Sequence, residues 1–374
     1  MTGPINIVNL PMEFTRLINS DAYQKSNKRC MILGNFGENH NGERLAIALE
    51  RLGWFVCRVC WYSMINNHKV DVDFCLSSFL DYKEFVEYRD HVKSFDLKKL
   101  LDLFESKFEF ILLMQHSVTY KIDKSIDTFI HYYYTEILHP YLPANVNTLI
   151  YAFPGGDQCV ARSFPSEYIS LMEKVYLPHA VDLDIFRPKE ETSNLTEVDR
   201  WKEWDKRKYL FAFKGVPNFP KIGDYLQDNL YNLRDTFLPV CQKLGLYYPD
   251  PSKVIWTDDY IDFMQNTKIA LNIPGLYGGI NQRMFEACAS KCILLNYHVD
   301  GMEEIGFVDN KTCYTFKTEE ELVNKYNHII NNLDEAKQVA QNGYEMVNAN
   351  HGYIQRAMMF LLIHFIVKTR YVNK

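Results

Sequence analysis

The chain carries no long hydrophobic run. Its most apolar stretch, residues 357–367 (AMMFLLIHFIV), falls short of the roughly 20 residues a bilayer-spanning helix needs, so it is expected as a core helix with at most a surface contact to a membrane through Lys368 and Arg370. No charge sign dominates: 41 Lys and Arg stand against 47 Asp and Glu, a net charge of −6. The signs alternate throughout, so a wide basic face for duplex nucleic acid is not indicated. Glycine is scarce at 17 residues, and no internal repeat or low-complexity segment appears. Gly-x-Gly-x-x-Gly is absent, which weighs against a dehydrogenase. The nine cysteines are scattered, and Cys57 and Cys60 form the only close pair. No second pair or histidine follows at zinc-site spacing, so both read as packed thiols. An odd cysteine count without a secretory signal pattern points to a reducing, cytoplasmic setting.

What the chain does have is enough length and apolar content for two cores: 374 residues, 47% hydrophobic and 14% aromatic. Near its start, residues 28–37 (KRCMILGNFG) read as a strand running into a glycine turn. Residues 43–53 follow as an amphipathic helix closed by glycine, and residues 54–61 as a second strand. Further strands are expected at 108–115 and 149–153. Polar groups just beyond the carboxyl ends of parallel strands point into the crevice of a doubly wound domain. His116 and Asp157 occupy such positions and are the candidate acid–base residues, each able to take a proton from an attacking hydroxyl. Either is equally well suited to closing a turn.

The richest segment is 268–294. The apolar run 268–273 suits a strand buried on both faces. Pro274, Gly275, Gly278 and Gly279 then supply a turn whose backbone N–H groups can approach a ligand closely. Asn281 offers a helix cap, and Met284, Phe285, Cys288 and Ala289 recur as an inward stripe. A helix N-terminus at the carboxyl end of a parallel strand favours a diphosphate. Arg283 sits in the first turn, where it opposes the helix dipole and is better explained by an anionic ligand. Glu286, one turn on, has two acceptor oxygens suited to a ribose diol. Upstream, residues 189–208 carry many charges and almost no large aliphatics, and read as a solvated linker with a helical stretch. Residues 209–215 (YLFAFKG) open the second domain.

These residues resemble a family. Residues 281–322, with Asn281, Arg283, Phe285, Glu286, Ala287, Ala289, Ser290, Gly301, Glu303 and Glu304, are similar to the C-terminal domain of GT-B glycosyltransferases, particularly the CgeB-like (spore-maturation-type) branch. Residues 177–188 (LPHAVDLDIFRP) resemble the Asn-Gly-Val-Asp-x-x-x-Phe-x-Pro segment that closes the first domain there. Gly343, Tyr344, His351, Gly352, Tyr353 and Arg356 resemble the family's closing helix and its His-Thr-x-x-x-Arg signature. The resemblance implies an α/β GT-B architecture: two Rossmann-like doubly wound domains facing a cleft, with the C-terminal helix crossing back to the first. The expected parts are an acceptor domain at 1–188, the linker at 189–208, a nucleotide-sugar donor domain at 209–350 and the returning helix at 351–374.

It further implies a metal-independent glycosyltransferase of glycan biosynthesis that needs no cofactor and uses a UDP- or GDP-sugar as donor. Arg283, Lys214 and the N–H groups around Gly278, Gly279, Asn281 and Gln282 would hold the diphosphate, Glu286 the ribose, and the loop bearing Gly37 would face the cleft. The acceptor would be a hydroxyl, on a glycan before a protein or a modified nucleobase in DNA. Retaining members carry a second glutamate eight positions before the ribose-binding one, and here that position is Gly278. The stereochemical outcome therefore leans to retention by resemblance alone, with inversion following if Asp157 is a general base. A nucleotide-sugar 2-epimerase of the same fold and a non-catalytic nucleotide-sugar-binding protein are the alternatives.

Overall fold

The computed structural model describes residues 10–34, 41–60, 64–65, 68–69, 73–75, 94–104, 107–114, 120–134, 145–152, 172–192, 194–215, 232–249, 258–274 and 280–372. The chain divides into two compact units. One joins Met1–Pro178 to Tyr353–Lys374, and the other is His179–Gly352.

The first unit is built on a parallel sheet. Its strands are β1 (Arg29–Leu33), β2 (Phe55–Cys60), β5 (Phe74–Cys75), β7 (Phe110–Met114), β9 (Phe129–Tyr134), β10 (Thr148–Tyr151) and β11 (Glu173–Tyr176), in spatial order β11-β10-β9-β7-β1-β2-β5. Two small pairs lie apart from it: β3 (Met64–Ile65) with β4 (His68–Lys69), and β6 (Phe95–Asp96) with β8 (Tyr120–Lys121). The central strands read CMIL and FILLM, unbroken apolar runs, because a parallel strand covered on both faces has no solvent side to alternate with. Strand order reverses between β1 and β7, the switch point at which doubly wound sheets open a crevice.

On one face of this sheet, the helix Asn41–Arg51 packs beside the C-terminal helix Tyr353–Val372. The apolar run expected as a core helix is one: Ala357, Phe360, Leu361 and Ile363 are buried against Phe110, Leu112 and Trp54. A polar seam runs through that interface. His131 Nε2 lies 3.0 Å from His364 Nδ1, and the other ring nitrogen of His364 approaches Glu109, which also pairs with Lys368.

The second unit holds a four-stranded parallel sheet: β12 (Tyr209–Ala212), β13 (Thr267–Asn272), β14 (Ile293–Tyr297) and β15 (Tyr314–Phe316), in that order. Helix Gln282–Ala289 connects β13 to β14, as the strand-turn-helix-strand reading of 268–294 requires. It is buried from Met284 through Ala289, not on a single stripe, because the helix Leu333–Asn350 covers its outer side. That crossing is close. A Cβ on Gly343 would meet the Thr312 carbonyl oxygen at 2.5 Å and Cys288 Sγ at 3.2 Å.

Two stretches differ from the sequence reading. Residues 179–188, expected to close the first domain, belong to the second unit: Val181 N–H donates to His351 O, and Gln265 Nε2 donates to the carbonyls of Ile185 and Arg187. Residues 189–208 are not a solvated linker. Helix Glu197–Asp205 is capped by Thr196 and packs Trp204, 1% exposed, into the core of the second unit. The guanidinium of Arg207 then pairs with both oxygens of Glu190 at 3.0 and 3.2 Å and donates to the carbonyls of Thr267 and Ser290, each at 2.9 Å. Charge density in the sequence concealed this, because the charges neutralise one another inside the unit.

Candidate functional site

In the second unit, β12 and β13 end at the same edge of the sheet, and three cationic side chains gather there. Phe213, just past β12, is the common reference. The guanidinium carbon of Arg283 lies 4.9 Å from its ring centroid and that of Arg234 5.5 Å. Both arginines occupy the first turn of a helix, Gln282–Ala289 and Asn232–Lys243, where positive charge is opposed by the helix dipole. Arg234 is 5% exposed and donates through Nη2 to Ile273 O at 3.3 Å. Lys214 is buried as well, its ammonium 5.6 and 5.5 Å from the rings of Tyr260 and Phe263, and burial lowers its pKa. Gly215 leaves the room these groups need, since a Cβ there would come within 2.9 Å of Arg283 Nη2.

Arg283 is aimed by buried amides. Asn272 and Asn296 face each other across β13 and β14, and neither is exposed to solvent. Asn272 Nδ2 donates to Asn296 Oδ1 at 2.6 Å, and Asn296 Nδ2 donates onward to Tyr297 O. The Asn272 carbonyl oxygen then accepts from Arg283 Nη1 and from Asn281 Nδ2, both at 3.1 Å. Asn281 therefore stands at the helix N-cap without a side-chain cap: its side-chain amide donates to Asn272, and its side-chain oxygen accepts from no helix N–H. Among the described residues its buried Oδ1 finds no partner.

One turn into the helix, Glu286 is 5% exposed and accepts a 2.6 Å hydrogen bond from Tyr260 Oη. Burial raises its pKa to about 6, while the Tyr260 hydroxyl and the nearby Arg283 charge hold it from going higher. Chemically, the edge offers converging cations, a helix N-terminus and a recessed carboxylate, which is what binding a phosphate group beside a polyhydroxyl group requires. Among the described residues no group of three His, Cys, Asp or Glu side chains could hold a metal ion, and no helix is long and apolar enough to cross a membrane.

The comparisons with known proteins agree with this geometry. Residues 234–362, which contain Arg234, Asn272, Arg283 and Glu286, match the family model described as glycosyl transferase-like. Solved structures share the fold along nearly the whole chain. A glycosyltransferase from Rickettsia africae is 13% identical with a TM-score of 0.53, covering 91% of this chain and 98% of its own. Sucrose-phosphate synthase from Thermosynechococcus elongatus is 12% identical with a TM-score of 0.56, covering 92% and 100%. The chain has the GT-B fold, and its segment 234–362 is glycosyl transferase-like. Anabaena HepE, solved in complex with UDP and glucose, is also similar, at 9% identity and a TM-score of 0.53, covering 89% and 98%. No curated protein matches the chain.

Within this GT-B chain the residues singled out from sequence are only partly brought together. Lys214, Asn281, Gln282, Arg283 and Glu286 share one edge of the second unit. His116, Asp157, Gly37, Gly278 and Gly279 lie outside the described residues. Arg234, Tyr260, Asn272 and Asn296 were missed. A signal existed for Arg234, a first-turn arginine like Arg283. For the two asparagines it was weaker: a polar residue ending an apolar strand is common, and only their cross-strand register makes them partners.

Proposed function

We propose that this protein transfers a sugar from a nucleoside diphosphate sugar to a hydroxyl acceptor, with the second unit holding the donor and the first the acceptor. The observation that carries the reading is the gathering of Arg283, Arg234 and Lys214 at one sheet edge, with Arg283 one helical turn from the buried carboxylate of Glu286. In transfer, the bond from the anomeric carbon to the diphosphate breaks and the acceptor oxygen bonds to that carbon. The leaving diphosphate keeps the electron pair. Its growing charge is met by the two guanidiniums, the Lys214 ammonium and the N–H groups of Asn281 and Gln282, held in place before the charge develops. These side chains supply the neutralisation that a divalent cation supplies elsewhere, so the reaction is proposed as metal-independent. Glu286 accepts from the ribose diol. In a retaining transfer the acceptor proton passes to an oxygen of the departing diphosphate; passage to Asp157 or His116 would accompany inversion instead.

The donor is proposed as a UDP- or GDP-sugar, in keeping with HepE and with an E. coli relative whose structure holds UDP-2-fluoro glucose. The acceptor is proposed as a glycan hydroxyl, and retention rests on the resemblance. The buried free thiols, among them Cys30, Cys288 and Cys313, suit a reducing compartment. The test is a panel of nucleotide sugars read by thermal shift and by release of nucleoside diphosphate. Stabilisation by one donor with slow diphosphate release supports a transferase. Conversion of the donor with no acceptor present identifies an epimerase, and binding without turnover under any acceptor identifies a binding protein. The absence of any shift at concentrations that saturate another GT-B enzyme would sink the donor site itself.

A further inference from the structure

Tyr260 is a buried titratable group that the donor reading leaves without a task. It lies on the helix Asp258–Gln265, which precedes β13, and its hydroxyl donates to Glu286 Oε2 at 2.6 Å, the length of a hydrogen bond to an ionised carboxylate. Its ring is held from two sides. Phe186 meets it edge-on at 6.0 Å, and the Lys214 ammonium lies 5.6 Å from its centroid. Phe186 is itself fixed, because its carbonyl accepts from Ser290 Oγ at 3.1 Å, at the far end of the Glu286 helix.

We propose that Tyr260 is a positioning residue for donor recognition: its hydroxyl locks the carboxylate of Glu286 in place and keeps it ionised for the ribose diol. The inference rests on the donor reading above and adds to it. A glutamate terminus rotates broadly about its last torsion. Committing Oε2 to a rigid aromatic hydroxyl removes that freedom before the ligand arrives and leaves Oε1 for the diol. The charged and titratable groups facing the carboxylate are Tyr260 from its helix, Arg283 from the carboxylate's own helix and, across the Tyr260 ring, Lys214 from the end of β12. Asp259 acts on Lys214. Burial raises the Tyr260 hydroxyl well above its ordinary range, so it stays a donor through neutral pH.

The experiment measures binding of UDP-glucose, with GDP-glucose as second probe, by calorimetry on the full chain between pH 5 and 8. The phosphates of both probes are esterified and do not titrate in that range, so a change in affinity belongs to the protein. The wild type is expected to bind more tightly as pH rises through about 6. Tyr260→Phe keeps the ring and removes the hydroxyl. It is expected to move that midpoint up by about one pH unit, because a lost hydrogen bond to the charged form favours the neutral one. In turnover it should raise the donor KM near neutral pH while leaving kcat within about twofold, the pattern of a group acting on ground-state and transition-state binding alike. Phe186→Leu, which loosens the ring and keeps the hydroxyl, should move the midpoint in the same direction by less. It carries the test if Tyr260→Phe does not fold. An unmoved midpoint in whichever variant folds would overturn the inference. Glu286→Gln separates the two layers. If it binds both probes as the wild type does, the donor reading fails; if it loses binding while Tyr260→Phe leaves the midpoint in place, only the role of Tyr260 fails.

Discussion

Replacing Arg207 by methionine should destabilise the second unit far more than a charged residue in a charge-rich segment would lead one to expect. The side chain is 2% exposed and its partner Glu190 8%. Five oxygen acceptors surround it: both Glu190 oxygens at 3.0 and 3.2 Å, the Thr267 and Ser290 carbonyls at 2.9 Å, and the Lys291 carbonyl at 3.5 Å. Methionine fills most of the volume but donates to none of them. Breaking a buried pair from one side strands the remaining charge at a cost of about 3–5 kcal/mol, so about 4 kcal/mol is expected here, in part because Ser290 and Lys291 lie at the end of the Glu286 helix. For a unit of this size each kcal/mol moves the melting midpoint by roughly 2–4 °C, which puts the loss at roughly 8–16 °C.

The assay is urea and thermal unfolding of the full chain, followed by tryptophan fluorescence, since Trp204 is buried against this pair. A cycle with Glu190→Leu isolates the ionic part. The double variant Glu190→Leu with Arg207→Met should regain about half the loss, the stranded carboxylate being gone while the orphaned carbonyls remain. A loss below about 1 kcal/mol for Arg207→Met would refute the buried-pair account. A double variant no more stable than the single one would refute the claim that the stranded charge carries the cost.

Three further outcomes are expected. Burial holds the pKa of His131 and His364 below the ordinary histidine value, so both are neutral in the folded chain and gain protons on unfolding. Their contribution to the first unit is complete above about pH 6.5 and declines as pH falls below that value. A melting midpoint of that unit unchanged between pH 7 and pH 5 would contradict it. Gly343→Ala sets a helix-propensity gain of about 1 kcal/mol against a Cβ placed 2.5 Å from the Thr312 carbonyl oxygen. Overpacking of about 1–3 kcal/mol should win, and a raised melting temperature would show that the helices can separate freely. Arg234→Met removes one of the two guanidiniums beside Phe213. It should weaken UDP-glucose binding about 10- to 100-fold, the worth of a hydrogen bond to a charged group, and calorimetry showing wild-type affinity would remove Arg234 from the site.

Much of this molecule was legible in one dimension because the governing signals are local. Unbroken apolar runs such as FILLM announce strands buried on both faces, and the switch to helical spacing after 268–279 announces the unit that carries Arg283 and Glu286. A first-turn arginine that opposes a helix dipole can also be read without coordinates. The architecture followed from those elements together with the resemblance, and the fold of the solved GT-B structures agrees. What sequence could not decide is which polar groups find each other in the interior. Arg207 and Glu190 look solvated until the unit closes on them, and Asn281 looks like a cap until Asn272 claims its amide. Arg234 reaches the Phe213 ring that Arg283 also meets, and Tyr260 reaches Glu286, from helices that are distant in the chain. The physical reason is common to all four. Periodicity records which side of an element is buried, whereas hydrogen bonds and ion pairs between elements depend on register and crossing geometry, and these exist only once the chain has packed.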